Sequence, residues 1–245
     1  TGRAKSARGF RSRVVTYGTD SPEASVSAER IDLDSMSSTC RLRVDVGCIS
    51  GAAELCLPVP GRHNLNNALA TVAAAACLDL EPTSVARVLG CFTGGERRFQ
   101  RFSTSFGVDV VDDYGHHPTE IAAVIATARL SEPKRLVVLF QPHRFSRTAQ
   151  LLEQFGDALA QADALVRVEI YPASETPIPG VDSVRLAASV GQHRDIPIQI
   201  ADSLDQAVTH VGSHALPGDL ILVLGAGSVG QLAPRIVELL ERRVA

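Results

Sequence analysis

At 245 residues the chain is long enough for one large domain or two ordinary ones. Hydrophobic residues make up 45% and charged residues 21%, and the net charge of −3 argues against a protein built to hold nucleic-acid phosphates. The longest mostly apolar stretch, Ala68 to Leu78, is too short to cross a bilayer, and five cysteines without a CxxC pair read as reduced thiols of a cytoplasmic protein.

The chain has no initiator Met, and Thr1 to Arg13 carries five positive charges (Arg3, Lys5, Arg8, Arg11, Arg13) with no acid. This run reads as a helix end or loop exposed by truncation rather than as an RNA-binding arm or transit peptide, so a fragment is expected. Arg13–Tyr17 is β-rich and is followed by a turn over Gly18–Pro22. In Arg41–Val46, Leu42, Val44 and Val46 alternate with Arg41, Arg43 and Asp45, the pattern of a half-buried strand. Ala53–Val59 is a second strand, separated from the first by a Gly47–Gly51 hairpin turn. After Pro60-Gly61 an Ala-rich helix is expected from Asn64 to Leu80, stopped by Pro82. A short helix to Cys91, capped by Thr83 or Ser84, leads to Gly94-Gly95, where a domain boundary is expected. Residues 1–95 then form one domain and 96–245 another.

The second region repeats strand, loop and helix. Strands are expected at Val108–Val111, Leu136–Phe140, Ala164–Val168, Ile196–Ala201 and Leu220–Leu224. Helices are expected at Pro118–Leu130, Arg147–Ala162, Asp182–Gly191, Ser203–Val211 and Val229–Glu241. Short apolar strands alternating with amphipathic helices imply an α/β fold with an open, mostly parallel, Rossmann-like sheet.

Ligands of open α/β sheets bind beyond the carboxyl ends of the strands, and titratable groups collect there. Asp112, Asp113, Tyr114, His116 and His117 follow the first strand; Gln141, His143, Arg144 and Arg147 follow the second; Glu169, Tyr171 and Glu175 follow the third. Arg144 and Arg147, three apart, would share a face in the first turn of a helix. Two guanidinium groups at a partly positive helix start are relieved by a bound carboxylate or phosphate. Asp112 and Asp113 suit Mg²⁺ or a ribose hydroxyl. Adjacent His116 and His117 point different ways, so one at most faces the site, and no nearby Cys supports zinc. Gly225–Gly230 fits GxGxxG, a nicotinamide-dinucleotide signature. The sequence after it is too short for the second strand and the acidic ribose residue, so a tight packing turn is the stronger reading. A non-enzymatic α/β binding module is a third reading.

Five stretches occur together in one order: Gly61–Ala68 (GRHNLNNA), Arg97–Phe99 (RRF), Asp112–Glu120 (DDYGHHPTE), Phe140–Thr148 (FQPHRFSRT) and Tyr171–Glu175 (YPASE). In this the chain resembles the Mur ligases from about Val14 onward, most closely the alanine-adding branch. The murein-peptide recycling branch, the alternative within the family, is expected to carry Phe-Ala in place of Tyr114-Gly115 and a different arginine segment. The resemblance implies a cytoplasmic enzyme of peptidoglycan synthesis that uses ATP and Mg²⁺ to join L-alanine to UDP-N-acetylmuramate through an acyl phosphate. Residues 1–95 would be the end of a central ATP-binding domain and 96–245 an amino-acid-binding domain. His63, Asn64 and Asn67 would lie at the adenine, Arg98 near the ATP phosphates and Asp113 at the ribose. Tyr114, His116, Arg144 and Arg147 would face the amino acid, with His116 and the two arginines catalytic. Glu96 departs from the Gly or basic residue usual at that place. No GxxxxGK[ST] phosphate loop occurs in these residues, so the loop and the Mg²⁺ ligands are expected upstream, and turnover by this chain alone is not expected.

Overall fold

A computed structural model describes residues 14–244, and the chain divides into two units between Thr93 and Gly94. The basic run up to Arg13 lies outside the described residues.

In the first unit β1 (Tyr17–Gly18), β2 (Val26–Leu33), β3 (Ser38–Val46) and β4 (Ile49–Leu57) form a four-stranded sheet in that order. Only the β1–β2 pair is parallel. The hairpin turn is Gly47-Cys48, tighter than the Gly47–Gly51 expected: β4 begins at Ile49, four residues before Ala53 and with Gly51 paired to Val44, and β3 begins three residues before the alternating run. β2 has no clear sequence signature: Glu29, Arg30 and Asp32 interrupt it, and its ladder shifts register between Glu29 and Asp32, where Arg30 has φ 52°.

Helix α1 (Arg62–Ala76) packs Leu65, Ala68, Leu69 and Val72 on Leu42, Leu55 and Leu57 of the sheet. It ends four residues before Leu80, because Asp79 turns left-handed (φ 59°) and the Leu80 amide reaches back to the Ala75 carbonyl. Helix α2 (Pro82–Leu89) starts at the proline expected to precede it. Pro82 occupies the first turn, where no amide is needed, and Glu81 stands at the N-cap, so neither Thr83 nor Ser84 caps it.

The second unit has six strands: β5 (Gln100–Ser103), β6 (Asp109–Asp113), β7 (Arg135–Phe140), β8 (Ala164–Val168), β9 (Ile198–Ala201) and β10 (Asp219–Leu224). Their order is β5-β6-β10-β7-β8-β9, with every pair parallel except β5–β6. The short antiparallel edge strand β5 has no apolar run and was not legible in the sequence. Leu136, Val138 and Phe140 of β7 face a core with α3 (Pro118–Arg129), α5 (Leu152–Leu159) and α6 (Ser183–His193). Val137 and Leu139 face the opposite core, built on α7 (Leu204–His214) and α8 (Leu232–Glu241). Burial on both faces is why these strands read as continuous apolar runs.

Two expected helices are divided. Arg147–Ala162 is α4 (Phe145–Gln150) followed by α5, with a break at Leu151 (φ −116°, ψ 21°). The last helix begins as a 3-10 turn, Ser228–Gln231, before α8.

Candidate active site

The carboxyl ends of β6, β7, β8 and β10 bring the predicted groups of the second unit to one edge. Asp112 and Asp113 end β6 and are both buried, with 3% of each residue exposed. Asp112 accepts hydrogen bonds from Arg97 Nε (3.0 Å) and Nη2 (3.4 Å), and Nη2 also donates to the Gly225 carbonyl (2.6 Å). Asp113 accepts from the amides of Phe99 (2.8 Å) and Gly115 (2.7 Å). Burial raises both carboxyl pKa values, against the lowering effect of these donors. The pair therefore laces segment 97–99 to the turn that follows β6, and both oxygens of Asp113 are engaged by backbone.

That turn separates the two histidines. His117 is the N-cap of α3: its Nδ1 accepts from the Thr119 amide (3.3 Å), while Glu120 Oε2 accepts from the amides of His116 (3.1 Å) and His117 (3.2 Å). His116 turns the other way. Its Nδ1 is 3.0 Å from the Tyr114 carbonyl, an acceptor only, so Nδ1 donates there, and it stands 3.7 Å from Glu120 Oε2.

His116 begins a line of rings across the edge. Tyr114 meets it edge-on at 5.2 Å, His143 follows at 5.8 Å, and Tyr171 stacks on His143 at 5.5 Å with the planes 19° apart. Arg97 and Arg98 lie over the Tyr114 ring at 5.3 and 5.6 Å. Arg98 is itself exposed. Tyr171 is held by a parallel bridge that extends the β7–β8 pairing: its amide donates to the Pro142 carbonyl (2.8 Å) and the Arg144 amide donates to its own (2.9 Å).

The two predicted arginines differ. Arg144 is not in the first helical turn; it is the N-cap of α4, at φ 76° and ψ 136°, a costly conformation for a non-glycine residue. Its side chain is half exposed, with Nη1 3.9 Å from Glu175 Oε1. Glu175 accepts from the Ser146 amide (2.9 Å) and hydroxyl (2.6 Å), so the protein supplies a carboxylate of its own at the start of α4. Those bonds, with Arg144, hold the Glu175 carboxyl below the usual range. Arg147 lies one turn on, and its Nη1 is buried without a hydrogen-bond partner. His143 Nδ1 is likewise buried and unpartnered. Burial chiefly, then the Arg147 guanidinium, with smaller effects of His116 and Arg144, lower the His143 pKa, so the ring is neutral near pH 7. His143 follows β7 between two predicted site residues, but in sequence nothing distinguishes it from a turn histidine; the stacking on Tyr171 does.

The glycine-rich turn after β10 is filled by the protein itself. Gln141 Oε1 accepts from the Val229 amide (3.0 Å) and the Ser228 hydroxyl (3.3 Å), where a dinucleotide phosphate would sit. A Cβ on Gly227 would stand 2.7 Å from Gln141 Oε1 and 2.8 Å from the Tyr171 ring, so glycine is required for close packing. The nicotinamide reading fails on these contacts.

In the first unit, His63, Asn64 and Asn67 lie on one flank of the opening turns of α1, away from the buried Leu65, Ala68 and Val72. Asn64 Nδ2 donates to the Pro60 carbonyl (2.8 Å), fixing the turn into the helix, and Asn67 is exposed.

An open parallel sheet with a cationic and aromatic carboxyl edge, in a chain that carries a second unit, is the arrangement of an ATP-dependent ligase family. Residues 97–227 match the Mur ligase glutamate ligase domain and residues 3–75 the Mur ligase middle domain. The chain belongs to the Mur ligase family. A UDP-N-acetylmuramate–L-alanine ligase of Acidobacterium capsulatum is 47% identical over 188 residues, 77% of this chain and 40% of that protein. One of Solibacter usitatus is 41% identical over 232 residues, 94% and 48%. The crystal structure of the UDP-N-acetylmuramate–alanine ligase of Thermotoga maritima superimposes with a TM-score of 0.75 at 26% identity, covering 94% of this chain and 48% of that one. The chain thus spans about half the length of the relatives it matches. No helix among the described residues is long and apolar enough to cross a membrane.

Proposed function

We propose that this chain supplies the amino-acid-binding part of a cytoplasmic ligase that joins L-alanine to UDP-N-acetylmuramate in peptidoglycan precursor synthesis. The overall reaction transfers the γ-phosphoryl group of ATP to the muramate carboxylate; the alanine amine then attacks the acyl phosphate and phosphate leaves. The observation that carries this reading is the buried, unpartnered Nη1 of Arg147 beside the His116–His143–Tyr171 line. A buried donor without a partner costs about 1–3 kcal/mol, and a substrate carboxylate removes that cost.

In this reading Arg147 and Arg144 grip the amino-acid carboxylate, and neutral His143 with Tyr114 and Tyr171 walls the small side chain. His116, with its Nδ1 held by the Tyr114 carbonyl, offers Nε2 to accept the ammonium proton before attack. Asp113, with one amide on each carboxylate oxygen, pins the Tyr114–His116 turn, and its remaining acceptor sites keep the ribose role implied by the family motifs. Tyr114-Gly115 favours the alanine-adding branch over murein-peptide recycling. His63, Asn64 and Asn67 on their unit, and Arg98 on the other, keep the ATP roles implied by the family motifs. Among the described residues no group of three or more His, Cys, Asp or Glu is arranged to hold a metal, so these residues do not by themselves fit a Mg²⁺ cage.

The test is Arg147→Ala in the complete enzyme. The KM for L-alanine should rise tenfold or more, about 1.4 kcal/mol, with the KM for ATP unchanged. An unchanged alanine KM overturns the assignment.

A further inference from the structure

We propose that Glu175 is a specificity-determining residue, whose carboxylate makes the amino-acid site accept a ligand with one carboxylate and reject aspartate and glutamate. The inference rests on the amino-acid site proposed above and adds to it the class of side chain that the site refuses. Arg144 and Arg147 bring two guanidinium groups to α4. Among the described residues Glu175 is the one carboxylate paired with either of them, its Oε1 3.9 Å from Arg144 Nη1. The three groups together carry a single positive charge, matched to a single carboxylate. Burial chiefly lowers the His143 pKa, with Glu175 opposing the arginines, so that neighbouring ring adds no charge near neutral pH.

Glu175 is fixed in place. Its Oε2 accepts from the Ser146 amide (2.9 Å) and its Oε1 from the Ser146 hydroxyl (2.6 Å). Ala173 (φ 47°) and Ser174 (φ 69°) are both left-handed, and the Glu175 amide closes this turn on the Pro172 carbonyl (3.0 Å), a strained backbone that aims the carboxylate back at α4. The bridge between Tyr171 and His143 ties the near end of the same loop. Arg147, with Nη1 buried and unpartnered, and Arg144 share the one carboxylate of the ligand. Arg144, half exposed, is the group that a second carboxylate would seek, and Glu175 already stands beside it. An acidic side chain therefore meets a like charge there, whereas a methyl group meets no penalty.

The experiment is steady-state kinetics of Glu175→Gln in the complete enzyme. Glutamine keeps an acceptor for the Ser146 amide, and the hydroxyl turns to accept from its NH₂ group, so the loop contacts survive while the charge goes. The KM for L-alanine should fall about threefold or more, with the KM for ATP unchanged. L-aspartate should compete with L-alanine at least about fivefold better than in the wild-type enzyme, and isosteric L-asparagine should change by less than about twofold. A purely structural Glu175 would raise the alanine KM instead. An unchanged or raised alanine KM, or aspartate competing no better than in wild type, overturns the proposal. Arg147→Ala measured alongside separates two failures. If it raises the alanine KM while Glu175→Gln does not behave as expected, the amino-acid site stands and the role of Glu175 falls; if it leaves the alanine KM unchanged, the site falls and this proposal with it. A second readout needs no variant: aspartate should inhibit the wild-type enzyme at least about tenfold more weakly than asparagine, and inhibition by aspartate as strong as that by asparagine refutes the charge selection.

Discussion

Arg144 and Arg147 stand three positions apart, yet the two guanidinium groups have different surroundings because α4 begins after Arg144 rather than before it. Spacing alone assumes a continuous helix, and the left-handed φ at Arg144, imposed by the bridge to Tyr171, breaks that assumption. A third arginine gives a sharper test of residue-scale electrostatics. Arg167 of β8 is fully buried between Phe140 and Ile200, its Nε, Nη1 and Nη2 make no hydrogen bond, and its nearest carboxylate, Glu169, is 3.8 Å away. Burial lowers its pKa, and Glu169 and Asp182 only partly offset this. Glu169 is largely exposed and accepts a hydrogen bond from Ser183, so it does not need the arginine. Arg167→Met should therefore stabilise the protein, by about 1–4 kcal/mol. Urea unfolding checks this, and a lowered midpoint would show that the charge is better compensated than its contacts indicate. The sequence marks which residue types gather at the strand ends, since charges and histidines there interrupt apolar runs. It does not mark that Glu175 satisfies the start of α4, because that contact spans 29 residues and depends on the bridge between two loops.

Elements whose signal is local were legible. The apolar strands of the second sheet, Pro118 at the start of α3 and the Gly47 that opens the β3–β4 hairpin all carry their own chemistry. β2 and β5 were not, because each is specified by the strand it pairs with. The connection between α3, β7 and α6 is of that long-range kind, and it has a pH signature. Asp163 Oδ2 accepts from Arg129 Nη1 and from the Leu136 amide, both at 2.8 Å, while Arg194 Nη2 stands 3.6 Å from Oδ1. The Arg129 hydrogen bond chiefly, then the Leu136 amide, lowers its pKa below the usual 3.8, against modest burial. A carboxyl with a lowered folded pKa binds its proton less readily folded than unfolded. Its contribution is thus complete above the ordinary carboxylate range and is lost as pH falls through the folded value. Asp163→Asn should cost about 1–2 kcal/mol at pH 7, discounted for partial exposure, and the gap to the wild-type protein should close below about pH 4. Urea midpoints of both proteins across that range decide it; a gap independent of pH would assign the loss to packing instead.

At the scale of the whole molecule, the last strand in the sequence is central in its sheet. β10 lies between β6 and β7, in register from Leu220↔Asp109 to Leu224↔Asp113 on one side and from Asp219↔Arg135 to Leu224↔Phe140 on the other. All six of its residues are buried, and they alternate between the two cores: Leu220, Leu222 and Leu224 on one face, Ile221 and Val223 on the other. Without β10, the inner edges of β6 and β7 lose every inter-strand bond on that side, and the core shared with α7 and α8 loses Ile221 and Val223. Unpaired backbone groups in a desolvated sheet each cost about 1–3 kcal/mol, so even a few exceed the about 5–15 kcal/mol that holds a domain folded. Direct pairing of β6 with β7 would require the two strands to move together across the width of β10 and so displace the α3 residues packed on the sheet. A chain ending at Pro217 should therefore show no cooperative transition from its second unit. Thermal unfolding by circular dichroism and limited proteolysis both read this: residues 94–217 should be cleaved throughout, while the sheet of β1–β4, whose contacts lie within its own unit, stays protected. A truncated chain with an undiminished second transition would mean that β6 and β7 can pair directly, and the central place given to β10 would be wrong.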